Sequence, residues 1–471
     1  MSLSSAINTA QSLLGNTAKQ TSVVSNNITN ATNPNHVRRT ATLGTTEYGS
    51  QIVRIDRAQN EVLFRNQMTA LADASGQSTL LAGLEQFKVL VGGNDFERSP
   101  SRLIGDLRDT LQAFAAKPSE QTLADTAVAN AGELAAMLRT SSSATQTLRR
   151  EADAAIAEDV DRLNTILARF EIVNNDVVSG TAIDKDVSAE LDERDTLLRE
   201  ISEMVGITTV TRSNNDLVLY TEAGVTLFET LPRPVEFVPT TTFDATVTGN
   251  TVVVDGVALL AGIGGNTSAK GSLAANLQLR DDIAPTYQSQ LDEIARGLIT
   301  LFEDSELFVW TPGGILPPGT VEPNLAATIE VNTALDPALG GNPMVLRDGV
   351  GGASNPAGDS GFSDLINQYL ADFETDMAFD GSTALAPSQN LIAYASSSIG
   401  WLEALRSGAN EANEKKSAYS ARITEALSNE AGVNIDEELA LLLQLEQSYA
   451  ASARIITAVD EMLRNLLAVG R

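Results

Sequence analysis

The sequence predicts a mainly α protein with a β-rich insertion: paired terminal coiled-coil helices, an α-helical bundle domain and a smaller outer β domain. Three observations predict it. Heptad-spaced apolar stripes occupy the two ends of the chain and nothing between them. Hydrophobic content is an ordinary 43% while aromatics are only 5%, which suits long Ala- and Leu-rich helices better than a dense mixed core. The residue pattern also switches from helical to alternating at Gly206 and back at Gly271.

The first stripe, Leu3, Ile7, Ala10, Leu14, Thr17, Thr21, Val24 and Ile28, advances by alternating steps of four and three. The last, Leu442, Leu445, Tyr449, Ser452, Ile456, Val459, Leu463 and Leu466, does the same. Such a seam asks for a partner helix along its length. Residues 2 to about 30 therefore read as one helix, ended at Asn33-Pro34-Asn35 because a proline disfavours helix in the residue before it. A polar, Thr-rich stretch and a short β-like run, Gln51 to Ile55, follow. Helical patterning covers Asn60 to Val91, Ser101 to Ala116, Ser119 to about Val178, and Thr196 to Val205.

Beyond Gly206, Ile207–Thr211, Leu217–Thr221 and Val225–Phe228 read as strands separated by turn residues such as Asn214 and Asn215. Val235–Val238, Thr246–Thr248, Val252–Val254 and Ala258–Leu260 continue the β block. Helix returns from Gly271 to about Glu303. Residues 311 to 360 are rich in Pro and Gly with one strand, Ala327–Asn332, and from Phe362 the chain is helical again. This order gives three expected domains. Residues 1–40 with 426–471 form the terminal coiled coil, 41–205 with 271–305 and 361–425 the helical bundle, and 206–270 with 306–360 the outer β domain.

The net charge of −29 argues against nucleic acid or an anionic membrane as partner. It is unevenly spread: no Asp or Glu precedes Glu47, whereas Asp436, Glu437, Glu438, Glu446, Asp460 and Glu461 crowd the last segment. Opposite signs on the two heptad helices favour their meeting. There is no cysteine, hence no disulfide or thiolate chemistry. No apolar run is long enough to span a membrane, and the first residues lack the basic and apolar regions of a cleaved secretory signal.

Catalytic motifs find little footing. His36 is the only histidine, so it would have to serve any Ser-His-Asp arrangement, and a His-rich zinc site is impossible. It follows a proline turn and reads as a surface-loop residue. Gly262-Ile263-Gly264-Gly265-Asn266 resembles a phosphate loop, but the third glycine of the dinucleotide pattern is Thr267. Glu190, Asp192, Glu193 and Asp195 alternate with Arg194 and Arg199, which fits a solvated helix face with i,i+4 pairs rather than paired catalytic acids. No enzyme, metal site or cofactor is expected.

Several segments carry a family resemblance. Ser25-Asn26-Asn27-Ile28-Thr29-Asn30-Ala31 is similar to the Asn-Asn-Ile-Ala-Asn signature of bacterial flagellar axial proteins, the rod, hook and hook-associated subunits. Gly432-Val433-Asn434-Ile435-Asp436-Glu437-Glu438-Leu439 and Gln447-Ser448-Tyr449-Ala450-Ala451-Ser452-Ala453-Arg454 resemble the matching terminal helix. Leu191-Asp192-Glu193-Arg194-Asp195 through Gly206, and Gly271-Ser272-Leu273 through Ala295, resemble the hook-associated members. One departure is the run Asn33-Pro34-Asn35-His36-Val37-Arg38, where the family has Pro-Gly-Tyr-Ser-Arg.

The resemblance implies a structural subunit, extracellular in the bacterial flagellum, that links hook to filament as a ring after type III export without a cleaved signal. Its implied partners are the hook protein, a second hook–filament junction protein, further copies of itself, and an export chaperone at the C-terminal helix. The subunit interface is expected at Leu3, Ile7, Ala10, Leu14, Val24, Asn26, Asn27, Ile28, Leu442, Leu445, Tyr449, Ile456, Val459, Leu463 and Leu466. The alternatives are another axial protein, such as a hook or second junction subunit, or a secreted carboxylate-based hydrolase.

Overall fold

The computed structural model describes residues 3–46, 49–92 and 99–469, with side chains undescribed at a few further positions near those limits. Helices dominate, with long ones at both ends, and the strands are short, so the chain is mainly α with β insertions. It divides into two compact units. The first comprises residues 1–72, 162–235 and 416–471, the second residues 73–161 and 236–415.

In the first unit, α1 (Leu3–Thr29) ends in a tight turn: the Asn33 N–H donates to Asn30 O at 2.9 Å and the His36 N–H to Asn33 O at 3.1 Å. Strands β1 (Arg39–Thr46) and β2 (Gly49–Arg57) then pair antiparallel, the register slipping between Thr42 and Leu43. Sequence alternation revealed part of β2 only. β1 is a Thr-rich run of no strong pattern, made a strand by its partner. Asn60 caps α2 (Glu61–Gly92), its Oδ1 accepting from the Val62 and Leu63 amides at 3.0 and 3.1 Å.

Helix α3 (Pro100–Ala116) starts at Ser99 with proline in its first turn, where a missing N–H costs nothing. Helix α4 (Gln121–Ala182) runs unbroken for 62 residues. Helix α5 (Ser188–Met204) begins earlier than the sequence pattern indicated. Strands β3 (Ile207–Thr211), β4 (Leu217–Thr221) and β5 (Thr226–Phe228) form the expected antiparallel sheet. Asn214 and Asn215 take the left-handed turn conformation between β3 and β4, at φ 57° and 58°. Phe228 meets Phe170 of α4 edge to face at 5.0 Å, and both rings are fully buried.

Beyond β6 (Val235–Glu236), β7 (Val253–Val254) and β8 (Val257–Ala258) form a hairpin turning at Asp255-Gly256, both at positive φ. The expected strand at Thr246–Thr248 is a turn instead. Asp244 Oδ1 accepts from the Thr246 and Val247 amides at 2.7 and 3.1 Å and holds the backbone away from a ladder. Helices α6 (Ser272–Gln278) and α7 (Ala284–Leu301) are joined by a π-turn, Leu279–Ile283. Pro285 has no N–H to return to the preceding turn, so the helix widens there.

The rest of the second unit is short elements: β9 (Phe308–Val309), α8 (Leu325–Thr328), β10 (Glu330–Val331), α9 (Val345–Asp348), α10 (Asp364–Asp372), β11 (Met377–Ala378) and β12 (Ser388–Gln389). β9 pairs with β10 and β11 with β12. The expected strand at Ala327–Asn332 is half helix, because the buried Asp292 carboxylate binds the Asn324 and Ala326 amides and winds the chain into α8. One continuous core, from Leu80 to Ala409, fills this unit. Helix α11 (Leu391–Ala431) is capped by Asn390 and α12 (Ile435–Val469) by Asn434. The acidic first turn of α12 complements its helix dipole.

Candidate functional site

The candidate site lies within the first unit, where α1 packs along α12. The heptad stripes meet unevenly. Ala10, Val24, Leu445 and Val459 are buried, and Ile7, Leu14, Ile28, Leu442, Ile456 and Leu463 are half-buried. Asn26 and Tyr449 are exposed and Asn27 is wholly buried. The side chains of Leu3 and Leu466 lie outside the described residues. The polar seam positions are satisfied locally: Thr17 Oγ1 donates to Leu13 O at 2.7 Å and Ser452 Oγ to Ser448 O at 2.8 Å. Hydroxyls bonded to their own helix are tolerated in a seam that could not bury them unpaired.

Apolar residues of α12 outside the seam were not singled out from the sequence. Leu439, Leu441, Leu443, Ile455 and Met462 of α12 are exposed, Leu443 at 60%. They fall on two faces, Leu439 and Leu443 as an i,i+4 pair and Leu441, Ile455 and Met462 at a heptad repeat, and the stronger seam period masked both.

At the foot of the helix pair sits a polar knot that joins segments far apart in sequence. Asn27 Nδ2 donates to Arg39 O at 2.9 Å and to Glu438 Oε2 at 3.1 Å, while its Oδ1 accepts from the Arg39 amide at 3.1 Å. Glu438, only 1% exposed, also accepts from Arg38 Nε at 2.7 Å. The Arg38 amide donates to Ala431 O at 2.8 Å, so the turn after α1 is stitched to the corner before α12 by main chain as well.

The knot extends to α5. Asp192 accepts from Arg39 at 2.8 Å and from Arg57 at 2.7 Å, and Arg57 also binds Asp195 at 2.7 Å. Burial raises the Asp195 carboxyl above its ordinary value, with Arg57 opposing. The neighbouring Arg194 is buried against Asn174 Oδ1 and Asn215 O, and desolvation lowers it to about 10. The acidic stretch of α5 is therefore a solvated face only at Glu190 and Glu193, which pair with Lys185 and Arg169. Asp192 and Asp195 are structural anchors.

His36, read from the sequence as a surface-loop residue, is instead buried in this knot at 8% exposure. Its fold-back turn carries it under α1, to within 3.3 Å of Asn27 Oδ1 and 3.5 Å of Asp192 Oδ2. An open polar cavity of about 620 Å³, lined by Asn33, His36, Gln59, Gln67 and Asp195 among others, adjoins it. Every close carboxylate here is engaged by arginine, so the arrangement fastens elements together and offers no free acid–base pair.

Comparison with known proteins gives this geometry a context. Residues 94–306 match the model of the flagellar hook-associated protein FlgK helical domain. Residues 426–469 match the flagellar basal body rod FlgEFG protein C-terminal model. The second match falls on the α12 half of the seam, so this helix is similar to the C-terminal segment of flagellar rod proteins. The chain is thus similar to flagellar hook-associated protein FlgK over its helical domain and to flagellar rod proteins over its C-terminal helix. Among solved structures, the flagellar hook junction protein FlgK from Burkholderia pseudomallei is similar at 21% identity and a TM-score of 0.43. That likeness covers 54% of this chain and 47% of that one, so this chain spans just under half of that chain's length. Among curated proteins, none matches.

Proposed function

We propose that this chain is the structural subunit that joins the flagellar hook to the filament, with no catalytic role. The observation that carries the reading is the terminal helix pair, fastened at its foot by the Asn27–Glu438–Arg38 knot, in a chain similar to the hook-associated protein over its helical domain. A coiled coil in which α12 still exposes Leu439 and Leu443 on one face and Ile455 and Met462 on another has apolar surface left for further helices. Repetition of one heterologous contact about an axis builds a ring or tube.

In this reading residues 1–40 with 426–471 line the tube. Residues 41–205, 271–305 and 361–425 form the surrounding bundle, and 206–270 with 306–360 face outward. The seam residues from Ile7 to Ile28 and Leu442 to Leu463 hold the helix pair and, with Tyr449 and Asn26, meet neighbouring subunits. Hook protein, a second junction protein and further copies are the assembly partners. An export chaperone covers the C-terminal helix before secretion by the type III pathway to the cell exterior.

Immunogold labelling of detached flagella with antibody to the second unit tests this. The expected result is a single narrow band where hook meets filament. Label along the hook or along the filament assigns the chain to another axial position.

A further inference from the structure

His36 is the only histidine of the chain, and the knot presents an unusual pair of neighbours to its ring. The Asn27 amide cannot be turned round: its Nδ2 is held by two acceptors, Arg39 O and Glu438 Oε2, and its Oδ1 by the Arg39 N–H. Both imidazole nitrogens therefore face acceptors, Asn27 Oδ1 at 3.3 Å and Asp192 Oδ2 at 3.5 Å. A neutral imidazole has one N–H and serves one of them; only the imidazolium serves both.

Opposing that second proton are the other groups packed around the ring. Arg39 of β1 and Arg57 of β2 already share Asp192 of α5. Asp195 of α5 is occupied by Arg57, and Glu438 of α12 by Arg38, with Glu437 near Arg38 at 3.9 Å. A charged ring would be a third cation competing for Asp192. The open cavity beside His36 gives water a route to the ring.

We propose that His36 is a proton-operated latch: the neutral ring lets Arg39 and Arg57 hold the β1–β2 hairpin to Asp192 of α5, and proton uptake in mild acid draws Asp192 toward the ring and loosens that attachment. This goes beyond the junction reading and does not rest on it. Burial pushes the imidazole below its ordinary 6.5; Asp192 pulls it up, and Arg39 and Arg57 push it down. Because the folded value lies below the unfolded one, the latch contribution is complete above pH 6.5 and is lost as pH falls through the folded value. Asp195, raised by burial, acts with the opposite sign at its own titration. Comparison with His36→Gln, in which Asp195 is unchanged, isolates the histidine.

The test uses the full chain. A single histidine gives a single imidazole titration by nuclear magnetic resonance, read beside the pH dependence of amide protection in β1, β2 and α5, corrected for intrinsic exchange. The expected result is a midpoint below 6.5, with protection falling over the same range in the wild type and flat in His36→Gln. A midpoint at or above 6.5, or an equal acid loss in His36→Gln, overturns the latch. Should His36→Gln not fold, the wild type alone decides: coincident midpoints for the ring and for protection support the proposal, and separate midpoints refute it.

Discussion

Replacing Glu438 with alanine probes how the two chain ends are fastened. The carboxylate is buried and serves two donors, Arg38 Nε at 2.7 Å and Asn27 Nδ2 at 3.1 Å. Removing one partner of a fully buried ion pair costs about 3–5 kcal/mol. Arg38 keeps 31% of its side chain in solvent, however, and can be rehydrated, so its share falls to about 1 kcal/mol. Asn27 Nδ2 has no solvent to turn to and retains only Arg39 O, a loss of about 1–2 kcal/mol. The expected sum, about 2–3 kcal/mol, corresponds to a roughly 30- to 150-fold larger opening equilibrium. Native-state hydrogen exchange of amides in Val24–Ile28 and Leu439–Leu445 reads this directly. Glu446→Ala, at an exposed position of the same helix, is the control. If the two variants agree within about 0.5 kcal/mol, the knot does not fasten the helices and the reasoning fails.

Three further outcomes are expected. Leu445→Asp puts a carboxylate into the α1–α12 seam, where Leu445 is 6% exposed; cells carrying it lose filaments while the purified protein keeps the β3–β5 sheet by hydrogen exchange. Two helical glycines should respond with opposite signs. A Cβ on Gly76 would sit 2.6 Å from Ala269 O, a backbone atom, so Gly76→Ala destabilises the second unit by about 1–3 kcal/mol in denaturant unfolding. Gly105 of α3 has open space, so Gly105→Ala stabilises by about 0.5–1 kcal/mol. Asp292 is held up at about 7 by burial, although the Ala326 and Asn324 amides and Gln288 favour its charge. Its folded value lies above the ordinary 3.8, so its contribution to stability falls as pH rises from about 4 to 7; Asp292→Asn removes that slope from a pH series of unfolding midpoints.

The sequence disclosed what is periodic and local. The heptad stripes, the Asn214-Asn215 turn and the β3–β5 strands were legible because residues a few places apart decide them. β1 was not, since its Thr-rich run becomes a strand only beside β2. The stretch Thr246–Thr248 alternates like a strand, but the side chain of Asp244 outbids the ladder. The knot was the least legible feature. Asn27 and Glu438 are 411 positions apart and Arg39 and Asp192 are 153 apart, so no local pattern joins them. Charge asymmetry between the chain ends pointed to attraction without naming the pairs. His36 was misplaced for the same reason: a polar residue after a proline turn reads as exposed until the turn is known to fold back under α1.

The account's central claim, a junction between hook and filament, is tested most directly by electron microscopy of cells lacking this gene, with flagellin assayed in the medium. The account predicts complete hooks that bear no filament, and flagellin lost to the medium. Normal filaments, or the absence of hooks, would contradict it.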